Sequence, residues 1–349
     1  MRNFFTYIKL LTINLNIEEI VLKDFRSSIV FAVVGLVLGY YIGGLNALYI
    51  VALLAILEVS LSFDNAVVNA KILETMESKW QQRFITFGIP IAVFGMRFLF
   101  PIIIVAIASG SGLIDTFNMA VYDPHKYEIT LTSVEKLIFA FGASFLLMVF
   151  LSFIFDNDRE EKWIHIIEKS SIVDKMGKLS SINMIITTIV GLVLIYLSHD
   201  YKIALAYFLG VLLYSIISSL DDILNINGVR NGVMGFLYLE VLDASFSFDG
   251  VIGAFALSSD IFIIMLGLGI GAMFVRSLTL YMLKEKTLAV YRYLEHGAHY
   301  AIFILSIIML VKIFIKDVSE IIVGGVGAMF ILVATLHSIH ENKKELKNQ

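Results

Sequence analysis

Apolar stretches close to membrane-spanning length recur from residue 29 to residue 337, and a fold in water could not bury them all. A bilayer-spanning helix needs roughly 20 mostly apolar residues. Ten stretches approach that length, at residues 29–44, 47–72, 84–109, 134–155, 182–197, 203–220, 233–258, 261–283, 298–315 and 321–337. Charged residues make up 16% of the chain, against about 25% in a soluble domain. The expected fold is therefore all-α, a polytopic transmembrane helical bundle of about ten spans, with the lipid bilayer as its solvent.

Lys and Arg divide unevenly between the two ends of these spans, and such residues are retained on the cytoplasmic side. With ten alternating spans, one side holds Arg2, Lys9, Lys23 and Arg26, then Lys71, Lys79 and Arg83. The same side holds Arg159, Lys162, Lys169, Lys175, Lys178, Arg230, Lys284, Lys286, Arg292, Lys343, Lys344 and Lys347. The other side receives Lys126, Lys136, Lys202, Lys312 and Lys316. This places both termini in the cytoplasm. A composition rich in Ile, Lys, Asn and Phe suggests a bacterial chain, hence the inner membrane. The first 28 residues lack a small-residue cleavage site after a short apolar core, so no signal peptide is expected. Residues 4–22 read as an amphipathic interfacial helix.

The expected organisation has four parts. Residues 1–27 form a cytoplasmic or interfacial segment, and residues 28–337 a single membrane domain. That domain divides into a first repeat (28–156), a charged cytoplasmic linker (157–181) and a second repeat (182–337). Residues 338–349 form a cytoplasmic tail.

The repeat is visible at an offset of 185. Leu57-Glu58-Val59-Ser60-Leu61-Ser62-Phe63-Asp64-Asn65 aligns with Leu242-Asp243-Ala244-Ser245-Phe246-Ser247-Phe248-Asp249-Gly250. Gly88 precedes Arg97 by the same spacing as Gly267 precedes Arg276. Acids inside apolar spans are expensive, so two pairs at equal spacing point to function. The charge asymmetry makes the two segments enter the membrane from opposite sides. That is the inverted repeat of many secondary transporters, whose site lies near the midplane.

The donor set suits a hard cation. Cysteine is absent, so a metal must be held by oxygen or imidazole. The candidate metal ligands are Glu58, Ser62, Asp64, Asn65, Asp243, Ser247 and Asp249. Glu58, Ser62 and Asn65 share one face of a regular helix, whereas Asp64 lies about 120° from Glu58. Two arrangements resolve this: an interruption near Ser62–Asn65, or separate partners for each carboxylate. Gly250 would ease a break in the second copy. Clustered carboxylates repel, so some must be protonated, paired or metal-bound. Arg97 and Arg276 are candidate charge partners, each neutralising an acid. Protonation in exchange for the ion is a natural route to proton-coupled transport. Glu295, His296 and His299 form a candidate cytoplasmic intake point, although an ordinary polar helix end explains them as simply. The triplet Gly267, Gly269 and Gly271, and the triplet Gly324, Gly325 and Gly327, read as close helix packing.

The segments LEVSLSFDNAV and LDASFSFDGVI resemble the repeated motif of the TerC integral membrane family, named for tellurium resistance and associated with export of manganese and other divalent cations. The chain is similar to that family's longer branch, catalogued as a domain of unknown function, from about Ser28 to His337. The resemblance implies an ion site at Glu58, Asp64 and Asn65 with Asp243 and Asp249. Asp243 replaces a glutamate and Gly250 stands opposite Asn65, so the second copy offers fewer ligands. Tellurite is an oxyanion that an acidic site would not bind, so any resistance would be indirect.

The expected function is a divalent-cation exporter, manganese or a similar hard ion being the substrate. The alternatives are a non-transporting membrane scaffold, an envelope-stress or tellurite-resistance component, and an intramembrane aspartyl protease. The last lacks its Gly-x-Gly-Asp and Pro-Ala-Leu motifs. No enzyme activity and no catalytic cofactor are expected. A net charge of −4 argues against nucleic acid. The partners are lipid and the ion, and a homo-oligomer is compatible with this reading.

Overall fold

The structure is a computed structural model. It describes residues 2–348 except 158, 160, 180, 225–231, 256, 316, 317 and 319. Side chains are further excluded at 2–23, 85, 89, 92, 221–224, 247–249, 320–324 and 346–348, so the expected amphipathic face of residues 4–22 lies outside the described residues.

The described elements are helical. They run α1 (Arg2–Leu61), α2 (Phe63–Glu74), α3 (Ser78–Pro90), a π-helical stretch (Ile91–Leu99), α4 (Phe100–Ser109), α5 (Leu113–Tyr122) and α6 (Pro124–Ile154). There follow α7 (His165–Glu168), α8 (Ser171–Gly177), α9 (Ile182–Ser198), α10 (Tyr201–Leu224) and α11 (Gly232–Phe255). The chain ends with α12 (Ile261–Lys284), α13 (Thr287–Val290), α14 (Leu294–Lys312) and α15 (Glu320–Asn348). Five helices among the described residues are long and apolar enough to cross a membrane, or up to seven if each of two bent pairs is one span. The ten stretches expected from the sequence are each helical over most of their length.

α1 is not one rod. Gly43 and Gly44 leave helical geometry, Gly44 at φ 67° and ψ −153°. Residues 39 and 51 would lie about 18 Å apart along a straight helix. Instead, a Cβ on Gly39 would stand 3.0 Å from Val51 Cγ2. The chain therefore folds back at the glycine pair into two legs, as the division between residues 44 and 47 anticipated. Both legs pack on α12, in opposite senses. Ser28 Oγ donates to Met273 O at 2.8 Å, and Gly35 abuts Ile270. On the other leg, Leu54 seats against Gly267 and Glu58 against Gly271.

The outer face of α1 is a run of exposed Val30, Val33, Val37, Tyr41 and Leu45, a surface suited to hydrocarbon and not to water. α6 is the opposite case, with most of its apolar length buried. Ser144 Oγ on α6 donates to Tyr207 O of α10 at 2.7 Å. A Cβ on Gly210 would come within 2.3 Å of Phe141 O, so glycine permits that crossing. Asp123 caps α6 by accepting from Lys126 N at 3.3 Å.

Two expectations are modified. The stretch 84–109 is not one straight span: its halves, Ser78–Gly88 and Val93–Ser109, meet at 53°. Pro90 removes a ladder donor just before the π-helical stretch, which accounts for a break at this point. The linker 157–181 is also more than a charged tether. It contains α7 and α8, and its Glu168 is buried.

The Gly44 conformation is one that essentially only glycine adopts, and no atom lies within 4 Å of a Cβ there. Gly44→Ala should therefore lower stability by about 1–3 kcal/mol through backbone strain alone. Thermal unfolding of the detergent-purified chain measures this, and an unchanged midpoint would contradict the tight reversal.

Candidate functional site

The first acidic segment is broken where its chemistry begins. α1 ends at Leu61, Ser62 takes φ −106° and ψ 18°, and α2 starts at Phe63. Ser62 N–H still donates to Glu58 O at 3.0 Å, and Ala66 N–H to Ser62 O at 3.2 Å, so one residue absorbs the change. The Asn65 amide donates to Asp64 Oδ1 at 3.0 Å. Of the two arrangements open from the sequence, interruption is the one found, and in the first copy. The second copy does not use Gly250 to break: α11 runs through it.

Arg97 joins the two copies. One guanidinium nitrogen, Nη2, donates to Glu58 Oε1, and Nη1 donates to Asp243 Oδ2 at 3.2 Å. Ser62 Oγ adds a bond to Glu58 Oε1 at 2.9 Å. Asn65 Nδ2 donates to Asp243 Oδ1 at 2.5 Å. Glu58 and Arg97 are each 1% exposed, so these are charge-assisted bonds in a dry setting. Arg97 lies on the π-helical stretch, whose wider turn resets the direction of its side chain relative to an unbroken α-helix.

The two motif segments lie antiparallel. A Cβ on Gly250 would stand 3.0 Å from Glu58 Oε2, while Asp243 meets Asn65. At the offset of 185, Glu58 corresponds to Asp243 and Asn65 to Gly250. The contact 58/250 and the contact 243/65 are thus the same contact with the copies exchanged. The departures from the motif compensate each other in size: the longer glutamate faces a glycine, and the shorter aspartate faces an asparagine. Gly271 serves the same acid, since a Cβ there would fall 2.4 Å from Glu58 Cβ. Gly267, Gly269 and Gly271 pack closely as expected, against Leu54, Val93 and Glu58. The later run does not, since Gly325 has open space and Gly327 an ordinary contact. The surroundings of Gly324 lie outside the described residues.

Two cavities of about 20 Å³ each, room for roughly one water, flank this junction. One is bounded by Glu58, Ser62, Asp64 and Gly250, with Phe246 and Ala301 as apolar wall. The break at Ser62 is what carries Asp64 round to share it with Glu58. The other is bounded by Asn69, Arg97, Glu240, Asp243 and Arg276, with Phe84 as wall. Glu240 and Asn69 were missed in the sequence. Glu240 lies three residues before Asp243, and Asn69 four after Asn65, so each shares a helix face with a residue already singled out.

Arg276 borders the same cavity as Glu240 and Asp243 without a direct bond to either among the described residues. Among the described residues it makes no ion pair. Its guanidinium lies 3.9 Å over the Phe84 ring, and a Cβ on Gly88 would overlap it at 1.6 Å. Arg97 instead serves two acids. The side chains of Ser247 and Asp249 lie outside the described residues. Ser60 is exposed and bonds its own helix at Ile56 O, whereas Ser245 is buried.

Glu295, His296 and His299 do not converge. Glu295 pairs with Lys71 at 3.1 Å. His299 lies flat on Phe153, with ring centroids 3.8 Å apart. His296 Nε2 is 3.3 Å from Glu168 Oε2, which also accepts from Trp163 N at 3.2 Å. Tyr300 donates to Glu168 Oε1 at 3.2 Å. Burial pushes the Glu168 carboxyl up, but the His296 ring, the Ile164 amide and the Arg159 guanidinium outweigh it and hold the group below the usual carboxylate range. These residues dock the linker onto α14.

Among the described residues no three His, Asp or Glu side chains gather as a ready-made metal cage. The junction is instead a buried salt-bridged site between antiparallel helices, within a chain that has several helices able to cross a membrane. The chain is a polytopic membrane protein. Residues 63–345 match the family described as protein of unknown function (DUF475), and the chain belongs to that family. No curated protein and no solved structure matches the chain.

Removing one partner of a buried ion pair costs about 3–5 kcal/mol. Arg97→Leu should therefore destabilise the chain by about that amount, and adding Glu58→Gln and Asp243→Asn should restore most of it. Chemical unfolding in detergent compares the single and triple variants, and equal stability of the two would refute the bridging role.

Proposed function

We propose that the chain carries divalent cations, manganese or a similar hard ion, across the inner membrane through the junction of its two acidic segments. The single observation behind this reading is the charge of the site. Glu58, Asp64, Glu240 and Asp243 stand against Arg97 and Arg276. With every group ionised, the described site lacks two positive charges. One divalent ion or two protons would close the difference, which is the stoichiometry of an ion–proton exchanger. The cavity shared by Glu58, Ser62 and Asp64 offers oxygen donors at the scale of a single dehydrated ion, and hard cations prefer such donors.

The architecture of the reading is an inverted repeat of about ten spans with cytoplasmic termini. The antiparallel segments and the exchangeable contacts 58/250 and 243/65 support it. So does the resemblance of both segments to the motif of the TerC family, which is associated with metal export. Ser247 and Asp249, the remaining candidate ligands of the second copy, stand outside this count, and an ionised Asp249 would call for one further proton. Glu295 pairs with Lys71, His296 with Glu168, and His299 Nδ1 bonds the Glu295 carbonyl, so an intake role falls to Glu295, the most exposed of the three.

Cells expressing the chain, loaded with manganese, should retain less of the metal than cells expressing Asp64→Asn. Equal retention of manganese, magnesium and calcium by both would defeat the transport reading and leave a scaffold role.

A further inference from the structure

The cavity beside Glu240 contains more acceptors than its neighbours satisfy. Glu240 is 9% exposed and Asn69 5% exposed, and neither Glu240 Oε1 nor Asn69 Oδ1 has a hydrogen-bond partner among the described residues. A buried unsatisfied polar group costs about 1–3 kcal/mol. Both residues border one cavity, whose wall also includes Arg97 and Arg276, each with Nε unpartnered among the described residues. Asp243, which already accepts from Arg97, borders the same cavity. Glu240 and Asp243 are three residues apart on α11, so their carboxylates stand one turn apart on one face.

We propose that this cavity is a receiving site for Arg97: when a divalent cation binds at Glu58 and Asp64, the guanidinium pivots on Asp243 and exchanges Glu58 for Glu240 and Asn69. The inference rests on the cation-carrier reading and deepens it. A cation at Glu58 and a guanidinium on the same carboxylate repel, so one must move. The new acceptor stands about one helical turn, roughly 5 Å, from Asp243 along α11. Asp243 keeps one end of the guanidinium bound throughout, so Arg97 is never left as a bare buried charge.

The exchange also sorts the charges. Afterwards Arg97 and Arg276 face Glu240 and Asp243, a neutral group. Glu58 and Asp64 remain with two negative charges around one ion-sized cavity. A divalent ion neutralises that pair, and a monovalent ion leaves it short. Glu240 thus acts as a positioning residue that selects the ion's charge without touching the ion.

Binding of manganese(II) to the detergent-purified full chain, measured by titration calorimetry, tests the exchange through a double-mutant cycle. Glu240→Gln should weaken affinity by about tenfold or more, because Arg97 loses its second seat. In an Arg97→Gln background the same substitution should change affinity by less than about twofold. A through-space effect of the Glu240 charge would persist in that background, and its persistence overturns the proposal. So would an unchanged affinity in Glu240→Gln alone. If wild type binds no manganese, magnesium or calcium, the carrier reading itself fails, and the exchange with it. Asn69→Leu takes the place of Glu240→Gln in the same cycle if that variant does not fold, with the same two outcomes.

Discussion

A guanidinium shared between Glu58 and Asp243 is the constraint on which the remaining geometry depends. Burying Glu58 and Arg97 away from water, with Asp243 half-buried beside them, is tolerable only if each is paired at hydrogen-bond distance. That requirement fixes the approach of helices that are far apart in sequence. It explains why α12 presents Gly271 to the stem of Glu58 and why Gly250 stands where its carboxylate points. It also gives a reason for the π-helical stretch: the helix carrying Arg97 must aim that side chain between two acids on two other helices.

The two halves of the site are related but not identical, and the difference is informative. Swapping the copies turns Glu58 with Gly250 into Asp243 with Asn65. The pair keeps its reach while trading a methylene on one side for an amide on the other. The arginines diverge further. Arg97 is paired twice, while Arg276 is parked over Phe84 in the hollow left by Gly88. The two antiparallel segments thus form a site with one tightly neutralised side and one with unsatisfied acceptors.

Much of this was legible in the sequence. The offset repeat singled out Glu58, Ser62, Asn65 and Asp243, and all four meet at one junction. The reversal at Gly43–Gly44 followed from span lengths, and the interruption at Ser62 was one of two arrangements that the angle between Glu58 and Asp64 left open. What escaped was whatever depends on side-chain direction after an irregular turn. A regular period assigns Arg97 and Arg276 equivalent roles, and the π-helical stretch breaks that equivalence. Glu240 was overlooked because it has no counterpart in the aligned motif, although its spacing from Asp243 was available. The docking of Glu168 could not be foreseen, because its ligands come from the linker and α14 and carry no periodic signal.

The bridge has a consequence for the order in which the chain is made. Arg97 follows Glu58 by 39 residues and precedes Asp243 by 146. At roughly 5–20 residues per second, the ribosome delivers Asp243 roughly 7–30 s after Arg97. During that interval the nascent first half already contains a matched acid and base, so Arg97 can enter lipid as one member of a neutral couple. Asp243 then arrives as the third member, and its capture by Arg97 and Asn65 is a natural signal that the two halves have been joined in the correct sense.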